Sequence, residues 1–71
     1  MQTLTINGVQ IQLNKNEVKE AHRIASMRTA GPEYAQTSVD IWMRSAPTTA
    51  AQERRKAVAS ALKLSDEIKF L

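Results

Sequence analysis

The sequence has no cysteine, and only three of its 71 residues are aromatic. Without cysteine, disulfide bonds, thiolate metal sites and thiol catalysis are excluded. A chain of this length buries only roughly 60% of its unfolded surface, so we expect one small domain with a thin core. No apolar run approaches the roughly 18 residues of a membrane span, and the first residues lack the layout of a signal peptide. We therefore expect a cytoplasmic protein.

Residues suited to catalysis are equally scarce. His22 is the only histidine, and its position beside a row of basic residues is typical of a surface side chain. Both glycines fit turn or helix-end patterns, so no glycine-rich loop is present to cradle a phosphate. The serines and threonines have no partner base at a recognisable spacing. The sequence therefore predicts a protein that is not an enzyme, with no catalytic residue, cofactor or metal site.

The clearest local pattern spans residues 2–13, where apolar and polar residues alternate on both sides of Asn7 and Gly8. An Asn-Gly pair is the preferred centre of a two-residue type I′ turn, because both positions need a positive φ. The turn sets a register in which Ile6 faces Val9, with one aliphatic and one neutral polar face. An isolated hairpin is marginal in water, so we expect later elements to cover the aliphatic face.

A first helix is predicted over about residues 15–30. Asn14 is a preferred N-cap residue, and Glu17 has the spacing of a capping box. Gly31 can adopt the left-handed conformation that ends a helix, and Pro32 prevents continuation. The apolar arc of this helix is expected to cover the hairpin.

The middle segment allows two interpretations. A helix over about residues 32–45 places Trp42 on an apolar side, where we expect it in the core, and spaces Asp40 and Arg44 as an ion pair. A strand over residues 37–43 would instead expose Trp42 or bury both charged side chains. We favour the helix because it separates polar from apolar residues more cleanly.

A last helix is predicted over about residues 49–64, since Thr49 and Gln52 have capping-box spacing. The remaining residues, 65–71, form either one further helical turn or, through residues 68–70, a strand beside the hairpin. Together these elements predict an α+β fold, in which an N-terminal β-hairpin packs against two or three α-helices in a single small domain.

The formal net charge is +3, and basic side chains recur on the first and last predicted helices. Clustered cations can contact nucleic-acid phosphates without reading sequence. The candidate residues for binding nucleic acid or an acidic partner are Lys15, Lys19, Arg23, Arg54, Arg55, Lys56 and Lys63. Arg54 falls inside the apolar arc of its helix, where it could pair with Asp40 or Glu33, or project toward a partner. No aromatic residue lies among these cations, which argues against a single-strand binder.

The hairpin is the second functional lead. Its strands contain no charged residue and no proline, which are the usual devices that protect a sheet edge. Such an edge can pair with a strand of another protein or of a second copy, unless a helix or residues 68–70 already cover it.

These features predict a small non-enzymatic binding protein that docks on another protein or protein complex and inhibits or modulates it. Its small size and its lack of catalytic residues suggest a phage or mobile-element accessory protein. The alternative is a nucleic-acid-binding regulator whose basic helix faces contact phosphates. A homodimer that forms through the hairpin edge is a third arrangement, and no membrane association is expected.

Overall fold

The chain begins with the predicted antiparallel hairpin. Ile6 pairs with Val9 and Leu4 with Ile11, which confirms the predicted register. Asn7 has a φ of 49° and Gly8 a φ of 82°, the two left-handed residues that a type I′ turn requires.

The computed structural model describes residues 1–68, in which this hairpin is followed by three α-helices. The elements are β1 (Gln2–Ile6), β2 (Val9–Leu13), α1 (Lys15–Ala30), α2 (Pro32–Arg44) and α3 (Thr49–Ala61). The predicted α+β class is confirmed, and so is the prediction that helices cover the aliphatic face, since both α1 and α3 contact the hairpin.

α1 begins at the predicted capping box. The Asn14 side chain accepts a hydrogen bond from the Glu17 backbone N–H at 2.8 Å, and the Glu17 carboxylate accepts one from the Asn14 N–H at 2.9 Å. Ala21 and Ile24 are buried on the core side of the helix, whereas Lys19 on the opposite side is exposed, as the periodicity predicted.

Gly31 ends α1, but the predicted left-handed conformation is wrong. Its φ of −162° and ψ of 99° are extended, and its N–H donates to the Met27 carbonyl at 2.7 Å. One residue both ends α1 and precedes Pro32, the first residue of α2. Gly31 is therefore both the C-cap of α1 and the N-cap of α2. An N-cap residue has an extended backbone, which explains why Gly31 is extended and not left-handed.

α2 is a helix, which settles the alternative left open by the sequence. Ala35, Val39 and Met43 are buried along one side. The predicted ion pair between Asp40 and Arg44 is wrong: the Asp40 carboxylate accepts from the Gln36 amide at 3.1 Å, and Arg44 Nε faces the Asp40 carbonyl at 3.4 Å. The Gln36 amide, one turn earlier, donates to one oxygen of the carboxylate that Arg44 was expected to reach, and Arg44 turns to the backbone instead.

α3 begins at Thr49 as predicted, but its N-cap is the residue before. Thr48 is the N-cap, and its hydroxyl accepts from the Ala51 N–H at 3.1 Å. The predicted capping box of Thr49 and Gln52 is therefore wrong, and the Gln52 amide instead donates to the Met43 carbonyl at 3.3 Å. This bond joins α3 to the end of α2.

α3 also ends three residues before the predicted Leu64. Lys63 has a φ of 61°, the Lys63 N–H donates to the Ser60 carbonyl, and the Leu64 N–H donates to the Ala59 carbonyl at 2.9 Å. These bonds form a Schellman motif, in which a left-handed residue stops the helix. Lysine occupies the position that glycine usually takes.

Residues 65–68 form neither a helix nor a strand, so the further helical turn does not begin at Ser65. Ser65 is instead joined to α2, because its N–H donates to the Gln36 side-chain oxygen at 2.7 Å. Ile68 is partly buried against the core. The predicted strand over residues 68–70 lies mostly outside the described residues.

The core lies between the hairpin and the three helices. Its largest fully buried side chains are Leu13, Ile24, Val39, Met43 and Val58. Trp42 does not occupy the centre as expected: it is half-buried at the margin of the core. The buried side chains are mostly small or medium in size, which agrees with the thin core predicted from the composition.

Candidate protein-docking surface on the hairpin

Both outer edges of the hairpin present unpaired backbone groups. Residues that flank a two-residue turn exchange both of their ladder hydrogen bonds, and the next pair along points its N–H and C=O groups outward. Thr5 with Gln10, and Thr3 with Gln12, are the pairs that point outward in this register. No other backbone group of residues 1–68 bonds to them, because the sheet has two strands only.

The side chains at these positions do nothing to block the edges. Thr3, Thr5, Gln10 and Gln12 are all exposed and uncharged, and they form the solvent face of the hairpin. Lysine, proline and bulges are the devices that usually prevent one sheet edge from pairing with another. The hairpin strands contain no lysine and no proline. An incoming strand therefore meets no charged side chain and no residue that lacks a backbone N–H.

The aliphatic face of the hairpin is covered unevenly. Ile11 is 6% exposed and Leu13 is fully buried, but Val9 at the start of β2 remains 47% exposed. Beside Val9 an open cleft of about 330 Å³ separates the hairpin turn from the last turns of α3. The residues lining the cleft are Asn7, Val9, Ala57, Ser60, Ala61 and Lys63. β1 contributes no residue to this cleft.

The turn itself anchors the hairpin to α3. The side-chain amide of Asn7 donates to the Ala61 carbonyl at 2.7 Å, at the end of the helix where carbonyls lack helical partners. Asn7 therefore serves both the turn, through its left-handed backbone, and the helix end, through its side chain. This bond holds the hairpin turn against the end of α3 at one side of the cleft beside Val9.

The predicted basic row on α1 is exposed. Lys15, Lys19 and Arg23 lie on the solvent side of the helix. Arg23 forms an ion pair with Glu20, which reduces the positive charge that this row presents. Lys15 and Lys19 are thus the members of the row that carry no ion pair among the described residues.

Arg54 is committed to a contact inside the protein. Its Nε lies 2.9 Å and 3.2 Å from the two carboxylate oxygens of Glu17, which is only 2% exposed. The predicted pairing of Arg54 with Asp40 or Glu33 is therefore wrong. Sequence reasoning assigned Glu17 to the capping box alone, although it precedes Ala21 and Ile24 at helical spacing on the buried side of α1.

Arg55 is held by α2. Its guanidinium carbon lies 5.1 Å from the centre of the Trp42 ring, and one of its terminal nitrogens donates to the Trp42 carbonyl at 2.6 Å. A guanidinium over an aromatic face is a stabilising cation–π contact. Arg54 and Arg55 are neighbours in sequence but contact different helices, so the predicted cluster on α3 is divided. Lys56 is half-buried, and Lys63 is exposed at the cleft.

Two exposed apolar side chains on α2 were not recognised from the sequence as surface residues. Tyr34 is 74% and Ile41 is 54% exposed. They lie seven residues apart, which places them on one side of a helix. Their seven-residue spacing puts them together on a side of α2 that differs from the buried side of Ala35 and Val39. This pattern is the signal that could have identified them as surface residues.

Comparisons of this chain with protein-family models, curated proteins and solved structures find no match. Within residues 1–68, no three histidine, acidic or cysteine side chains are grouped to hold a metal ion. No helix in the same described part has both the length and the apolar character needed to cross a membrane. The function is therefore inferred from the surfaces described above.

Proposed function

We propose that this protein is a non-enzymatic binding protein that docks on another protein by taking a strand of its partner onto the open edge of the hairpin. The observation that carries the proposal is the pair of uncharged hairpin edges, whose outward backbone groups have no partner within residues 1–68. Strand addition satisfies such groups directly, and main-chain hydrogen bonds then provide the affinity.

The effect on the partner follows from this mode of binding. A small protein that covers a partner's strand inhibits or modulates whatever that strand does, without catalysing a reaction. We infer a phage or mobile-element accessory protein as the class, from the small size of the chain and from the absence of catalytic patterns in the sequence. The exposed Lys63, which lines the cleft beside β2, favours a partner with an acidic group near the docked strand.

The test is capture of partners from host-cell lysate by tagged protein, with and without nuclease. We expect a defined protein that survives nuclease treatment and moderate salt. Placing proline at both Thr3 and Gln12 removes one outward N–H from each edge and should abolish capture. If that variant keeps its far-UV circular dichroism and still captures the protein, docking through the hairpin edge is disproved.

A matched control removes positive charges from α1 and leaves the backbone N–H groups of the hairpin edges in place. Lys15→Gln with Lys19→Gln removes the two basic side chains of α1 that carry no ion pair, and leaves the hairpin unchanged. The proposal expects this variant to capture the same protein as the wild type. Loss of capture in this variant alone would place the contact on α1.

Nucleic-acid binding is the second candidate, and the exposure of Lys15 and Lys19 on one side of α1 is the observation that favours it. Such binding would disappear with nuclease and would weaken steeply with salt, with a log–log slope of about −0.9 for each phosphate contacted. Because Arg54 and Arg55 already contact Glu17 and Trp42, we expect a shallow slope for generic duplex DNA.

A further inference from the structure

We propose that the partner's strand pairs with β2 rather than β1, and that it inserts an aliphatic side chain, followed two residues away by an acidic one, into the cleft beside Val9. This inference rests on the proposed function and specifies the edge and the chemistry of the partner. The two edges of the hairpin differ in their surroundings, and this difference carries the inference.

Only β2 borders the cleft. Val9 belongs to the aliphatic face of the hairpin yet is 47% exposed, because α3 lies across the cleft from it instead of against it. A strand added beside β2 places the residue opposite Val9 on the same face of the sheet. That residue would point into the space between Val9 and α3.

The cleft is large enough to receive a side chain of an added strand, and its lining suits an aliphatic one. Its volume of about 330 Å³ is at the low end of the range for small-molecule pockets. The α3 wall consists of the small residues Ala57, Ser60 and Ala61, which leave room for an aliphatic group. In strand addition, pockets that receive alternate side chains supply the specificity that main-chain hydrogen bonds lack.

The charge of the cleft selects the neighbouring residue of the partner. Among residues 1–68, Lys63 is the charged residue that lines the cleft, and no acidic residue of this range lines it. Residues two apart on a strand share one face, about 7 Å from each other. An acidic residue two positions from the aliphatic one would therefore reach the ammonium group of Lys63.

A second copy of this chain does not meet these requirements. Residues 1–13 contain no acidic residue, so β2 of a second copy would offer no carboxylate to Lys63. Antiparallel pairing of β2 with β2 would also bring a second α3 to the same face of the sheet, where the two helices would compete for the space of the clefts. The occupant is therefore an extended segment of a different protein.

The experiment is a selection of displayed random octapeptides on the wild-type protein, followed by titration of the selected peptides into ¹⁵N-labelled protein. We expect enrichment of peptides with an aliphatic and an acidic residue two positions apart. The amides of Gln10, Gln12 and Ala57 should shift on binding, and those of Thr3 and Thr5 should not.

Three variants separate the cleft from the rest of the surface. Val9→Thr keeps the shape and removes the apolar wall, and Ser60→Trp fills the cleft from an exposed helical position. Each should weaken binding of the selected peptide at least about tenfold. Ile41→Thr, which alters a similarly exposed aliphatic side chain on α2, should change binding less than about twofold.

Five results would overturn the inference. Shifts confined to Thr3 and Thr5, with unchanged affinity in Val9→Thr, would place the strand on β1 and leave the proposed function intact. No enrichment, or shifts confined to Tyr34 and Ile41, would overturn both the inference and the proposed function. A protein that sediments as a dimer and slows exchange at Gln10 would identify a second copy as the occupant. Shifts at Gln10 and Gln12 caused by Phe70→Ala, without any peptide, would identify the chain's own last residues as the occupant.

Discussion

Glu17 shows how one side chain in so small a protein can hold two elements at once. Its carboxylate closes the capping box of α1 through the Asn14 N–H and also contacts Arg54 of α3. A charge that is 2% exposed is costly when it has no partner, so the arginine is required by the fold. A charge with this role does not count toward a surface that binds phosphates.

Arg54→Met tests this role. The variant keeps the aliphatic stem and removes the guanidinium, which leaves Glu17 buried without its cation. We expect the free energy of unfolding to fall by about 2–3 kcal/mol, below the full value for a buried pair because the Arg54 side chain is 25% exposed. Urea denaturation followed by circular dichroism measures the change.

The matched control for Arg54→Met is Arg44→Met on the surface of α2. Arg44 is exposed and has only a long contact with the Asp40 carbonyl, so we expect a change within about 0.5 kcal/mol. Equal losses of stability in the two variants would contradict the structural role of the pair between Glu17 and Arg54.

Lys63 is the residue whose backbone is least suited to its side chain. Its φ of 61° is the left-handed conformation, which costs a residue with a Cβ roughly 1–2 kcal/mol. Glycine adopts it freely but gains freedom in the unfolded chain. We therefore expect Lys63→Gly to stabilise the protein by about 0.5–1 kcal/mol and to raise its melting temperature.

Lys63→Ala is the comparison that isolates the backbone. It removes the same charge but keeps the Cβ, so its melting temperature should stay close to that of the wild type. A stabilisation of the same size in both variants would show that charge, and not conformation, is responsible.

At the residue scale, the sequence predicted the capping contact of α1 correctly, was wrong about the ion pair within α2 and the capping box of α3, and missed the contacts between helices. The capping box of Asn14 and Glu17 was predictable because its geometry depends on four consecutive residues. The pairs Glu17 with Arg54 and Trp42 with Arg55 depend on how the helices are rotated against one another. The available signal was indirect: Glu17 and Arg54 each fall on the apolar arc of their own helix.

At the scale of elements, the two glycines act differently from each other. Gly8 has a φ of 82° in the hairpin turn, whereas Gly31 is extended. A Cβ at Gly8 would meet nothing within 4 Å, so its cost is conformational, and a Cβ at Gly31 would meet only the exposed ring of Tyr34 at 2.8 Å. That ring can rotate away.

We therefore expect Gly8→Ala to lower the free energy of unfolding by about 1–2 kcal/mol, and Gly31→Ala to change it by less than about 0.5 kcal/mol. Parallel thermal melts of the two variants measure the difference. A larger loss in Gly31→Ala than in Gly8→Ala would contradict the assigned conformations.

The bounds of the hairpin and of α1 were predictable because turn and cap chemistry act within a few residues. α2 was recognised as a helix from its periodicity, but its expected ion pair was displaced by Gln36. The end of α3 was missed for a specific reason. A lysine in a left-handed position carries no recognisable stop signal, and the apolar period of the sequence continues through Leu64.

At the scale of the whole molecule, the helices lie on one face of a two-stranded sheet, and no element of residues 1–68 covers its other face. The alternation of residues 2–13 was enough to predict that the two faces differ. Which edge borders a cleft depends on where α3 crosses the hairpin, and no local pattern encodes this. The sequence therefore predicted one part of the candidate surface, the open hairpin edges, and did not predict the other, the cleft beside Val9.

The most direct measurement of the central claim is amide hydrogen exchange at Gln10 and Gln12, by NMR, in the free protein and in its complex with the captured protein. These outward N–H groups have no partner within the described hairpin, so they should exchange rapidly when the protein is free. In the complex we expect exchange at both amides to slow at least about tenfold. Unchanged exchange at these amides and at Thr3 and Thr5 in a stable complex would contradict strand addition on the hairpin.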